Sequence, residues 1–348
     1  MLVTYMMWTA AGFLSILLLI YLYLVLRYVV KRKRARRKEK HKQHLRHLVA
    51  HCVKTGELLR LRLTRQMELE AVEELLEQYM NVLKSRKASL RLSRLAQRLL
   101  VEYYRERLRY PRLGVRYNAL LLIDKFYIPQ LTEDLLQLLM RERTTDLERL
   151  EAYRILAKTD YAGIRNILKH ARDWPDVLYR DILHRLPEER FREYMRGLSI
   201  YPKRLQYNLL DVAGDKGDIS FLPQLEALLY QTDPEIRTRS LKAISKIGLV
   251  RHPEMLVPFV GSSIWQERVM AAKTMGIVQK QEFLPYLVQL LSDTSWWVRL
   301  AAAQAISGYS TGRDVLWQVV RTGRDAFARD IAKERLERMV PHGRTSMD

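Results

Sequence analysis

A single cysteine, Cys52, stands in 348 residues. That excludes a disulfide framework and points to a reducing compartment for the bulk of the chain. Glycine (14) and proline (11) are sparse, while leucine, arginine, alanine and glutamate predominate. A chain so poor in turn formers and so rich in helix formers is expected to be all-helical. The signatures of nucleotide and thiolate-metal chemistry are missing: the chain has no Walker loop, no GxGxxG and no CxxC. Charge is absent from residues 1–26. Acids are almost absent from residues 27–46, where eleven Lys or Arg stand against Glu39 alone, a net +10 within a chain total of +21.

The uncharged start is an apolar run from about Met7 to Val30, interrupted only by Arg27 near its end. About 20 apolar residues in a helix cross a ~30 Å hydrocarbon core. Trp8 lies toward one end, and Tyr21, Tyr23 and Tyr28 toward the other, as interfacial aromatics do. A cleaved signal peptide would have a positive n-region and a small-residue cleavage site. Here the n-region is neutral and KRKRARRKEKHK follows the apolar run. The expectation is an uncleaved single-pass anchor over 1–30, with the N-terminus outside and the C-terminal domain cytoplasmic, because positive flanks stay inside. Lys31, Arg32, Lys33, Arg34, Arg36, Arg37 and Lys38 are expected at the membrane surface, and residues 31–46 among anionic lipid headgroups. The run Lys31–Lys42 has no aromatic and no glycine, so nothing in it stacks on bases, and nucleic acid is not the expected partner.

Downstream, five positions recur every 31 residues: Gln206, Arg237, Arg268, Arg299 and Asp330. Small residues follow the arginines at +3 or +4 (Ser240, Ala271, Ala272, Ala302, Ala303), and Ile244, Met275 and Ile306 follow at +7. Between copies lies a second apolar helix, twice in nearly the same words, FLPQLEALL from Phe221 and FLPYLVQLL from Phe283. A period near 30 with two helices per unit predicts an α-solenoid. Asp233, Pro234 and Glu235 mark a helix start, Ser263 with Gln266 has capping-box spacing, and Gly248 and Gly308 stand near helix ends.

The repeat pattern resembles HEAT repeats of the short, phycobilisome-lyase-like kind, most closely at Asp233–Arg237 closed by Ile247 and Gly248, then at Val298–Arg299 and Glu267–Arg268. The resemblance implies a scaffold or adaptor, with a lyase or DNA glycosylase as the alternative, and a structural repeat arginine that bonds between neighbouring repeats. A nucleic-acid-binding protein is a further alternative. The expected fold is thus an all-α solenoid of HEAT-like hairpins behind one transmembrane helix. Its organisation runs as an anchor over 1–30, a basic segment over 31–54, a capping hairpin over 55–113, irregular repeats over 114–200, regular repeats over 201–340 and a tail over 341–348.

No catalytic, cofactor or metal set can be assembled from spacing. His41, His44, His47 and His51 share a helix but are interleaved with Lys42 and Arg46, and they read as a solvated face. Positions +2, +5 and +9 from each repeat arginine face one side of the second helices. In successive repeats, starting from the Gln206 copy, they read Asn208, Asp211 and Asp215, then Arg239, Lys242 and Lys246, then Met270, Lys273 and Ile277, then Ala301, Gln304 and Gly308, so the groove is expected to pass from acidic to basic to weakly polar and apolar. Trp265, Trp296, Trp297, Met270 and Ile277 are the expected partner-binding residues. The expected partner is a membrane-associated protein, for example a glycosyltransferase of envelope polysaccharide synthesis.

Overall fold

The computed structural model describes residues 2–57, 63, 65–171 and 174–339; the expected tail over 341–348 lies outside them. The described residues form helices and connecting turns with no strand, and the fold is an all-α solenoid. It divides into two compact units, Met1–Tyr161 and Ala162–Asp348.

The first unit begins with α1 (Leu2–Thr55), one continuous helix of 54 residues. Residues 14–30 are exposed on all sides, and this apolar stretch is long enough to cross a membrane, with a mean hydropathy of 2.0. Further along, the same helix joins a protein core. Leu45, Val49 and Cys52 are buried at helical spacing on one face. That face meets α2 (Gln66–Val82) and α3 (Arg86–Leu99), and Arg91 of α3 donates to the carbonyls of Val53 and Lys54 at the end of α1, at 2.7 and 2.6 Å.

Ion pairs fix the sense of α2. Arg34 reaches Glu70 at 2.8 Å, Lys38 bonds Glu74, and Lys42 lies 3.4 Å from Glu74. The partners advance one turn together on both helices, so α2 runs parallel to α1. The first turn of α2 therefore stands at the height where the apolar stretch of α1 gives way to its basic segment. The chain then returns through α3 and α4 (Val101–Leu108), which break at Leu100. Tyr103 and Tyr104 of α4 both donate to Glu73 of α2, at 3.2 and 2.9 Å. The unit closes with α5 (Leu113–Phe126), α6 (Thr132–Leu139) and α7 (Asp146–Lys158).

The second unit runs α8 (Ile164–His170), α9 (Asp176–Arg185), α10 (Glu188–Arg196), α11 (Lys203–Lys216), α12 (Leu222–Ala227), α13 (Pro234–Ile247), α14 (Trp265–Val278), α15 (Leu284–Leu290), α16 (Trp296–Ser307), α17 (Gly312–Thr322) and α18 (Ala326–Met339). The helices that begin near each repeat arginine stack side by side and parallel. Two contacts are unusually close: a Cβ on Gly214 would stand 2.7 Å from Ala243 Cα, and one on Gly276 would stand 2.7 Å from Ala305 Cβ. Only glycine permits helix backbones to approach that far.

The expected intervening helices are shorter than the apolar runs suggest. FLPQLEALL contributes α12 flanked by 3-10 turns, and the corresponding segment between the Arg237 and Arg268 copies is a 3-10 helix, Pro253–Gly261, with Pro258 inside it. A proline there removes a helical donor and clashes with the preceding turn, so an α-helix does not form. Asp233 caps α13 as its position suggests, accepting from the N–H groups of Glu235 and Ile236. At α14 the expected Ser263–Gln266 box is replaced: Ser262 Oγ accepts from Ile264 N–H and donates to Glu267. Gly248 ends α13 in the left-handed region at φ +78°.

Candidate partner-binding surface

The repeat arginines hold the turns that shape this surface. In each, one guanidinium nitrogen donates to the carbonyl six residues back: Arg116 to Tyr110, Arg237 to Gln231, Arg268 to Ser262 and Arg299 to Asp293. The fork then reaches a carboxylate near the start of the next long helix, Glu148 for Arg116, Glu267 for Arg237 and Asp293 for Arg268. Glu148 and Glu267 are fully buried, so these are structural clamps rather than an open anion site, bidentate at Arg116 and Arg268 and through a single bond from Arg237. Burial pushes the Glu148 carboxyl up, but Arg116 and the Thr145 hydrogen bonds outweigh it and hold it below the usual range. Asp330 is not the fifth copy. Arg329 is, donating to Gly323 six residues back at 3.3 Å.

The groove-facing charges are neutralised across neighbouring helices, and the expected march from acid to base is not what a partner would meet. Asp211 of α11, itself buried, is bonded by Arg239 and by Lys242 of α13 at 2.9 Å, with Arg180 of α9 at 3.8 Å. Asp215 pairs with Lys246 and with His184 at 3.4 Å. Burial raises the Asp215 carboxyl, and the bonds and charges of Lys246 and His184 more than reverse that. Asp176 accepts from Arg204 at 3.0 Å and from Asn208 at 3.1 Å. This zipper leaves no uniformly basic stripe along α9, α11 and α13.

The tryptophans form an edge instead. Trp265 and Trp296 are the first residues of the adjacent parallel helices α14 and α16, and they are 41% and 46% exposed. Trp297 is 58% exposed and packs edge-on against Trp296, with ring centroids 4.8 Å apart. Phe327 extends the row. It is exposed, lies under the Arg299 guanidinium at 4.9 Å, and precedes Arg329 by the same two residues that separate Trp297 from Arg299. Counting from Asp330 hides this equivalence; counting from Arg329 reveals it. Met270 is half-buried and Ile277 exposed on α14, but Ile277 lies twelve residues from Trp265, roughly 18 Å along the helix. The five expected residues therefore divide into an aromatic edge, the half-buried Met270 midway along α14 and the exposed Ile277 at its far end.

Of the basic segment, Lys31, Arg32, Lys33, Arg36 and Arg37 are exposed and have no partner among the described residues, whereas Arg34 and Lys38 are held by α2. Among the described residues no three His, Cys, Asp or Glu side chains converge as a metal set. His51 lies 3.4 Å from Glu57, and Cys52 is buried. A cavity of about 600 Å³ opens between α15 and α17, walled by Leu284, Val288, Val315 and Val319, and its lining brings no acid–base pair against a nucleophile.

Residues 254–337, from the 3-10 helix before α14 into α18, match the family model for HEAT repeats. No curated protein matches the chain. Among solved structures, two engineered proteins from a structural genomics consortium are similar. One is 19% identical, covering 59% of this chain and 95% of its own, and the other is 15% identical, covering 83% and 98%; both have a TM-score of 0.35.

Proposed function

We propose that this protein is a non-catalytic scaffold, anchored in the cell membrane by the apolar part of α1, that binds a membrane-associated protein on the cytoplasmic side. The observation that carries it is the character of α1: an apolar stretch exposed throughout 14–30, interrupted by the single charge Arg27, runs directly into the unpaired cations Lys31, Arg32, Lys33, Arg36 and Arg37 and then into a packed repeat fold. Such a sequence is stable in a bilayer with the cations inside. Anchoring confines the repeat surface near the membrane and raises the effective concentration of any partner held there. The binding surface is the edge Trp265, Trp296 and Trp297, since aromatic side chains dominate interface hot spots. The zipper of paired charges favours a protein ligand over nucleic acid, which would need an open basic stripe. The resemblance to the short, phycobilisome-lyase-like repeats belongs to this proposal as a scaffold relationship, without the lyase chemistry.

Two measurements test it. A reporter fused after Asp348 is expected in the cytoplasm, with the protein resisting carbonate extraction; release as a soluble fragment beginning near Lys31 would overturn the anchor. Trp265→Ala and Trp296→Ala, made separately, are expected to leave the melting temperature within the range of surface changes, about 0.5 kcal/mol, while abolishing capture of the membrane partner. Unchanged capture would place the partner elsewhere.

A further inference from the structure

The first unit carries an edge whose height relative to α1 is fixed by the ion pairs between α1 and α2. Gln66 and Leu69, in the first turn of α2, line a cavity of about 470 Å³ together with Arg107, Tyr110 and Val115. The turn between α4 and α5 is thereby brought to the start of α2, beside the end of the apolar stretch of α1. The turn between α6 and α7 joins it. Arg141 donates to the Leu108 carbonyl at 3.0 Å, and Arg116 links the carbonyls of Tyr110 and Pro111 to Glu148 of α7. On this shared edge Tyr110, Leu113, Met140 and Leu147 are exposed, Met140 by 78%. Arg112 and Arg143 are exposed beside them with no partner among the described residues.

We propose that this edge, the turns at 109–113 and 140–147, rests in the anionic headgroup layer of the same bilayer that α1 enters. This rests on the membrane anchor proposed above. Charge alone does not carry it, because Glu106, Glu142 and Asp146 share the edge. Position does: at the level where a spanning helix leaves the hydrocarbon, exposed tyrosine, methionine and leucine find an interfacial environment, and unpaired arginines find phosphate. The opposite edge of the unit, at the α2–α3 turn around Ser85, stands away from that level. Unit one would thus touch the membrane at two places, α1 and this edge, and its orientation about the α1 axis would be set by the second.

The test uses the full chain in phosphatidylcholine–phosphatidylserine vesicles carrying spin-labelled lipid. Cys52 is buried, so the parent protein serves as the unlabelled control. An environment-sensitive fluorophore is placed on Met140→Cys, Tyr110→Cys or Ser85→Cys, with helicity checked by circular dichroism. Blue-shifted emission and lipid quenching are expected at 140 and 110 and not at 85. Arg112→Glu with Arg143→Glu is expected to reduce the quenching while leaving carbonate resistance intact. Carbonate-resistant protein whose probes at 140 and 110 emit as in water would overturn the docked edge and leave the anchor standing. Equal quenching at all three sites would also overturn it, as would quenching indifferent to the arginine reversals and to omission of phosphatidylserine. Release by carbonate would overturn anchor and edge together.

Discussion

The clamp between Arg237 and Glu267 is the most informative single interaction. Glu267 is buried, accepts from Arg237 at 2.8 Å and from Ser262 Oγ at 2.5 Å, and so ties two repeats to one turn. Glu267→Ala leaves a half-buried guanidinium without its carboxylate and is expected to cost about 3–5 kcal/mol of stability in a melting experiment. Arg237→Met combined with Glu267→Leu removes both charges and should cost less than either single change; a larger loss in the double variant would mean the pair itself stabilises the stack. Acid should act on related groups. Lys203, against burial and with help from Tyr207, holds Asp233 low; at Asp293 burial raises the carboxyl, but Arg268 and the Ser295 N–H more than offset it. Both contribute stability above 3.8, their ordinary value, and lose it as pH falls through their lower folded values. Glu73 has the opposite sign. Burial raises it above 4.5 despite the Tyr104 and Tyr103 bonds, so its penalty grows as pH rises through the folded value. Glu73→Gln should therefore raise the melting temperature more at pH 7 than at pH 4.5, and a constant difference would refute the assignment.

At the scale of elements, truncations separate the two roles of α1. A fragment beginning at Lys31 keeps Arg34, Lys38 and Lys42 against Glu70 and Glu74, whereas one beginning at Leu45 loses all three. The shorter fragment should melt lower, by roughly 0.2–1 kcal/mol for each partly exposed pair; equal melting would show these pairs contribute nothing. The 31-residue phase was legible because an arginine that reaches six residues back and one repeat forward must recur at fixed spacing. Its end was misplaced by one residue, since Asp330 and Arg329 both fit a periodic count and only the bond to Gly323 distinguishes them. The second apolar helix expected between copies is a 3-10 helix at Pro253–Gly261, because Pro258 inside it cannot donate to an α-helical turn. The sense of α2 was not legible at all, because it is set by pairing between residues 36 apart.

At the scale of the whole chain, the net charge of +21 has two distinct uses. Much of it is consumed by clamps and zippers within the units; under the proposed anchoring, the five free cations at the foot of the apolar stretch would set topology. Replacing Lys31, Arg32, Lys33, Arg36 and Arg37 by glutamine, with Arg34 and Lys38 kept, should leave the fold intact yet make a reporter after Asp348 partly non-cytoplasmic. A reporter still wholly inside would assign orientation to other determinants. The sequence groups these seven cations at the foot of the apolar stretch, but it could not separate the five that are free from the two that are bonded, since that division depends on which face of α1 meets α2. The aromatic edge was partly legible for the same reason the ladder was. Trp265 and Trp296 repeat at one period, while Phe327 was hidden by the misplaced phase.

The unbroken course of α1 has a mechanical consequence. Fifty-four residues of helix extend roughly 80 Å at ~1.5 Å per residue. Between residue 13 and Thr55 it contains no glycine and no proline, so it has no built-in hinge. Its far third is bolted into a core by Leu45, Val49 and Cys52. Any tilt imposed on the apolar end, as when a bilayer thins around it, is transmitted as rotation of the first unit, like a rudder turned by its tiller.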